Sequence, residues 1–154
     1  MIGDGAREVI SQLPATTFDT LNFYTILCYN NPGGGSVQTA VIHDNFTTVT
    51  SSTANYRFFN LSPNFPQVDF YLNTTAAQPG RATADNVYNT GYNAFSQVSP
   101  GSYNLVVKKA GTDSVIASST NVPLIGGAAY TIFLGGIVGS NTTPLQINVL
   151  QASY

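Results

Sequence analysis

Apolar and polar side chains alternate in short runs over most of the chain: YRFF (Tyr56–Phe59), VDFYLN (Val68–Asn73), SYNLVV (Ser102–Val107), DSVIAS (Asp113–Ser118) and LQINVL (Leu145–Leu150). A period of two puts alternate residues on opposite faces of a strand, and the β-branched and aromatic content of these runs favours the same state. Gly, Pro, Asn and Asp separate them. The pattern predicts about seven strands, near 55–60, 67–73, 87–95, 102–108, 113–119, 128–134 and 144–150. No amphipathic helix of useful length is found. The expected fold is all-β, an antiparallel immunoglobulin-like or transthyretin-like sandwich.

The residues before this sandwich repeat its end. Val9-Ile10 and Val115-Ile116 are 106 positions apart (115 − 9), and so are the YTI triplets at Tyr24–Ile26 and Tyr130–Ile132 (130 − 24). In each copy a Gly-rich loop follows, NNPGGG or GGIVGS, and then an alternating strand, VQTAVI or LQINVL. The agreement of spacing, loop and final strand reads as an internal repeat; the alternative is two strands sharing a tripeptide. The repeat divides the chain into 1–46, the C-terminal strands of an incomplete first copy forming a partial second sandwich, a linker at 47–54, and a complete sandwich at 55–154. Three strands cannot bury both faces or protect their edges, so the first segment is expected to lean on the complete domain or on a neighbouring molecule.

Composition narrows the setting. Of the 154 residues only 8% are charged, against about 25% in an average soluble domain; the surface is wetted mainly by uncharged polar groups, in the style of many secreted proteins. The five Lys and Arg, scattered apart from Lys108-Lys109, form no stripe that could follow a phosphate backbone, which argues against nucleic acid as a partner. No apolar window is long enough to cross a membrane as a helix, and MIGDGAREVI lacks the basic head and apolar run of a secretion leader. Cys28 is the single cysteine; between Leu27 and Tyr29 it reads as a small buried hydrophobe.

Candidate chemistry is sparse. His43 neighbours Asp44, yet strand neighbours point to opposite faces, so the pair reads as a strand-end histidine and not a relay. The acids Asp4, Glu8, Asp19, Asp44, Asp69, Asp85 and Asp113 are single, which leaves a glycosidase pair unsupported. Gly33–Gly35 lacks the Lys and Ser/Thr of a phosphate loop and reads as a hairpin tip, and Gly126-Gly127 as a turn. If the strands flanking LSPNFP form a hairpin, Arg57 faces Asp69 on its outer side, while Tyr56, Phe58, Val68, Phe70 and Leu72 fill the core. Alternatively Asp69, Asn60 and Asn64 line an ion or ligand site. Asn45, Asn60, Asn73 and Asn141 lie in N-x-S/T triplets. Thr20 in DTL and Ser114 in DSV fit a bacterial O-glycosylation triplet, or ordinary strand-edge sequence.

YRFFNLSPNFPQVDFYLN, followed by GYNAF, PGSYNLVV, GTDSVIAS and AAYTIFLGG, resembles domain-of-unknown-function family 4397, over residues 55–150, with 4–46 like the tail of a preceding copy. The positions carrying the likeness are Arg57, Asn60, Ser62, Pro63, Pro66, Asp69, Tyr71, Gly101 and Tyr130. The resemblance implies a β-sandwich from an exported or cell-surface bacterial protein, often in tandem behind a secretion or lipoprotein leader, with no catalytic residues and no cofactor to carry over. The expected function is a non-catalytic structural or adhesive module, with self-association or neighbouring copies of the domain as partners. Two alternatives remain: a filament subunit assembled by strand complementation, and a carbohydrate-binding module displaying rings such as Tyr88, Tyr92 and Tyr103.

Overall fold

The computed structural model describes residues 2–3, 9–13, 18–32, 35–152 and 154. Its elements are β1 (Ile2–Gly3), β2 (Val9–Ser11), β3 (Phe23–Asn30), β4 (Val37–Asp44), β5 (Ala54–Asn60), β6 (Gln67–Leu72), β7 (Thr75–Ala82), α1 (Asp85–Tyr88), β8 (Ser96–Val98), β9 (Gly101–Lys109), β10 (Val115–Leu124), β11 (Ala129–Gly135) and β12 (Gln146–Gln151). A 3-10 turn, Thr90–Asn93, follows α1.

Eight strands make the sandwich, in sheets ordered β10-β9-β6-β7 and β12-β11-β5-β8. The strand β5 lies between β8 and β11 and runs parallel to β11. In the immunoglobulin order the first two strands share a sheet, whereas here β5 and β6 lie in opposite sheets. Between the sheets, Tyr56, Phe58, Val68, Phe70 and Leu72 meet Leu105, Val107, Leu124, Tyr130, Ile132 and Leu134. The expected core residues are therefore in place, and Phe58 stacks on Phe70 at 4.5 Å across the layers.

Two expectations fail in the middle of this domain. The segment 87–95 is not a strand: α1 and the 3-10 turn occupy most of it, because the Asn89 side chain accepts the Gly91 N–H at 3.1 Å and turns the chain. The pattern missed two strands, the short β8 (Ser96–Val98) and β7, TAAQPGRA, whose alternation is weak and which carries Pro79 and Gly80. As an edge strand it tolerates the proline, and its ladder to β6 is irregular around these two residues.

Upstream, β3 and β4 form a two-stranded antiparallel sheet laid on the outer face of the β5–β11 sheet. Leu27, Tyr29 and Ile42 pack there with Phe59 and Ala84, supported by Leu61, Val87 and Phe133. Covered on both sides, β5 is buried at all seven positions. Full burial of such aliphatic and aromatic side chains contributes about 1.5–3 kcal/mol each, so the hairpin is held as a third layer. Its opposite face carries Cys28, which is exposed and not buried as expected. The alternation that sends Leu27 and Tyr29 inward sends Cys28 outward, and only one side of this small sheet is covered. Of the Gly33–Gly35 tip, Gly33 and Gly34 lie outside the described residues.

The connection 47–54 is fixed as well. Gly127 N–H donates to the carbonyls of Thr50 and Thr53 at 3.1 and 3.0 Å, and Gln97 donates to Thr48 O at 2.9 Å. A Cβ on Gly126 would collide with the Ser51 carbonyl, and Gly127 has φ +78°. The Gly-Gly turn is thus required by close approach and by a left-handed backbone.

Candidate functional site

A dense polar arrangement is centred on Arg57, where the third layer meets the sandwich. Strand β5 aims this side chain away from the core, into the space below β3 and β4, where it is 1% exposed. Its Nη1 lies 2.7 Å from Asp44 Oδ1, a charge contact between two buried groups, at an angle that leaves this oxygen without a proper hydrogen bond. Nη2 donates to Thr25 Oγ1 at 2.8 Å, and the Thr25 hydroxyl in turn donates to Asp44 Oδ2 at 2.7 Å. Nε donates to Thr131 Oγ1 at 2.9 Å, and Nη1 also to Asn93 O at 3.0 Å. The guanidinium stands over the rings of Phe95 and Phe59, 4.5 and 5.2 Å from their centroids. Burial pulls its pKa below the ordinary arginine range, while the neighbouring Asp44 carboxylate holds it up.

The expected Arg57–Asp69 pair does not form. Cross-strand facing requires a β5–β6 hairpin, but the loop between them carries the chain from one sheet to the other. Asp69 instead accepts the Gly80 N–H at 2.7 Å and the Gly111 N–H at 2.9 Å, tying the β7 irregularity to the β9–β10 turn. Nor do Asn60 and Asn64 share a site with Asp69. Asn60 donates to Phe65 O and Arg81 O and accepts from Ser62 N–H, bracing the arch around Pro63 and Pro66. Asn64 closes a pair of hydrogen bonds with the Val138 backbone. Among the described residues no three metal-ligating side chains converge.

The other signature positions have equally local tasks. Ser62 is fully buried, and Pro66 O accepts the Thr83 N–H at 3.2 Å. Lys108 Nζ sits 4.7 Å from the Tyr71 ring. A Cβ on Gly101 would make ordinary contact with Tyr103. Tyr130 is buried, and its hydroxyl accepts the Ile125 N–H at 3.0 Å. Thr20 and Ser114 are both exposed, as a modification site requires; Asn60 is buried, which removes it as a glycan acceptor.

The sequence reading missed Arg81. Its guanidinium grips Asp85 with two bonds of 2.9 and 2.6 Å, donates to Phe58 O at 2.5 Å and to Gln78, and lies 3.9 Å from the Tyr92 centroid. The pair spans the turn from β7 into α1, so neither strand nor helix spacing pointed to it. Tyr92 is thereby engaged, Tyr103 donates to Ser99 O at 2.6 Å, and Tyr88 alone of the three tyrosines stands free at 82% exposure. They form no common platform.

A match to a family model decides the relationship. The family described as "Domain of unknown function (DUF4397)" matches residues 54–153. The chain belongs to this family. The DUF4397 domain begins where β5 begins and contains all eight sandwich strands, so β3 and β4 contact it from outside its matched span. No curated protein sequence matches the chain. Within the DUF4397 domain Arg57 has a divided task, binding Thr131 of its own sheet and Thr25 and Asp44 of the hairpin. His43, beside Asp44, points outward with Nε2 2.8 Å from Asn22 Oδ1. Sequence neighbours thus lie on opposite faces, and the joint uses only Asp44.

Beside the joint lies a cleft of about 550 Å³ lined by Asn22, Phe23, His43, Asn45 and Phe46. Phe46 is stacked on Tyr154 at 4.2 Å, whereas Phe23 is 45% exposed.

Proposed function

We propose that this protein is a non-catalytic structural module of an exported or cell-surface bacterial protein, a stiff spacer or display element whose DUF4397 sandwich is locked to the segment before it. The observation that carries the reading is the Arg57 joint. A buried ion pair with several further hydrogen bonds is a costly way to gain stability and a good way to impose one geometry; a spacer needs a defined angle between its parts. The low charge content and the secreted style of surface support the setting. Fractionation of the native host, with an antibody against the sandwich and protease added to intact cells, tests it. Recovery at the surface or outside the cell is expected; a cytosolic, protease-protected pool overturns it.

The cleft at Phe23 favours a second reading, a neutral saccharide site, since it combines an exposed ring with the amides of Asn22 and Asn45 and with His43. Binding on a glycan array that is lost in Phe23→Ala supports it; an array without signal removes it.

A further inference from the structure

Two tyrosines show that the resemblance between the chain's first and last hairpins extends to atoms. The Tyr24 hydroxyl accepts the Asp19 N–H at 3.4 Å, and the Tyr130 hydroxyl accepts the Ile125 N–H at 3.0 Å. Each donor precedes its tyrosine by five residues, and each tyrosine stands second in its strand. With β3 laid on β11 in this register, Tyr24, Ile26 and Cys28 correspond to Tyr130, Ile132 and Leu134.

The surroundings of the two triplets differ, although Tyr24 is half-buried against Phe18. Tyr130, Ile132 and Leu134 are in the sandwich core, at 4%, 0% and 0% exposure. Ile26 is 48% exposed, and Cys28 is exposed. Strand β11 has β12 on one edge and β5 on the other; β3 has β4 on one edge, and among the described residues no strand on the other. The face that β3 does bury, through Leu27 and Tyr29, corresponds to the outer face of β11. Apart from Thr39, which bonds to Ser11 and Gln12 beside β2, and Tyr24, which packs on Phe18, what is left open is therefore the counterpart of the inner face, together with the counterpart of the β5 edge.

The interface between β11 and β5, already present in the molecule, specifies what completes such a half. We propose that the open face of β3–β4 and the free edge of β3 seat the leading strands of another copy of this domain, the counterparts of β5 to β9, with the counterpart of β5 running parallel along β3. The edge supplies main-chain hydrogen bonds and the face an apolar floor, the two elements of strand addition. A preference for this partner over an unrelated strand comes from shape: the floor repeats the tyrosine and isoleucine spacing that β5 and the opposite sheet already fit, with Cys28 in the place of Leu134. The inference does not depend on where the protein resides in the cell.

Cys28 reports on the outcome, since its counterpart Leu134 is fully buried. Residues 54–114 are joined ahead of Val9 in the otherwise complete chain, and maleimide labelling of Cys28 is followed in this fusion and in the present protein. Labelling slowed by about tenfold or more in a monomeric fusion is expected, because a buried thiol reacts only through opening. Ile26→Lys provides the second arm. It is expected to leave the melting temperature of the present protein unchanged and to restore fast labelling in the fusion. Undiminished labelling in the fusion overturns the proposal. So does Cys28 protection in the present protein that grows with concentration as it dimerises, which would make a whole second molecule the occupant.

Discussion

Thr25 and Thr131, which occupy the same place in the two YTI triplets, bond to a single guanidinium: Arg57 Nη2 donates to the first and Nε to the second. The repeated triplet thus has one structural consequence visible in the fold. Its two copies lie on facing sheets, and β5 supplies the arginine between them.

Removing one partner of this joint leaves a charge buried without its counter-ion. Asp44→Ala is expected to lower stability by about 3–5 kcal/mol, measured by urea denaturation. The double replacement Asp44→Leu with Arg57→Met should cost less than the sum of the single changes, because neither charge is then stranded. Strict additivity would deny the coupling.

Asp69 carries a different load. Asp69→Ala removes two charge-assisted bonds to Gly80 and Gly111 N–H groups, each worth about 1.5–3 kcal/mol. Hydrogen exchange should quicken at both glycines while the Arg57 joint keeps its protection. Asp69→Asn retains one acceptor oxygen and should fall between the two.

Gly136 has φ +94°, and a Cβ there would meet the Pro144 carbonyl. Gly136→Ala combines a left-handed backbone with a backbone collision, so a loss of at least about 1–3 kcal/mol is expected. Gly139, also at positive φ with nothing near its Cβ, should lose less. Thermal melts of the two variants compare them directly.

Alkaline pH should unfold the protein through its buried phenols. Burial, with a smaller contribution from Tyr103, raises the Tyr56 pKa; burial and then Tyr88 raise that of Tyr29. The unfolded chain ionises near the ordinary phenol value of about 10. The stability these neutral rings provide is therefore full below that value and declines as pH rises from it through the higher folded-state values. Melting temperatures across this range should fall, and less so in Tyr56→Phe. The exposed pair Lys108–Asp113, with Asp113 wholly in solvent, should contribute little at any pH.

The all-β class, the core positions Tyr56, Phe58, Val68, Phe70 and Leu72, and the recurrence of the YTI triplet were all legible in the chain, because alternation and spacing are local properties that survive whatever packs around them. The partner of Arg57 was not. Facing arithmetic holds only when consecutive strands pair, and the arch at Pro63 and Pro66 sends β6 to the other sheet, beyond the reach of β5's side chains. Strand β7 escaped because an edge strand with Pro79 and Gly80 needs little alternation, and 87–95 misled because Asn89 and Gly91 turn a strand-like run back on itself. Cys28 shows the same division: its sequence neighbours predicted a buried residue, but burial depends on whether a second layer covers that face. Sequence alone determined which residues can line a sheet; only the tertiary structure decided which sheet each face meets, since that choice rests on contacts between residues far apart in the chain.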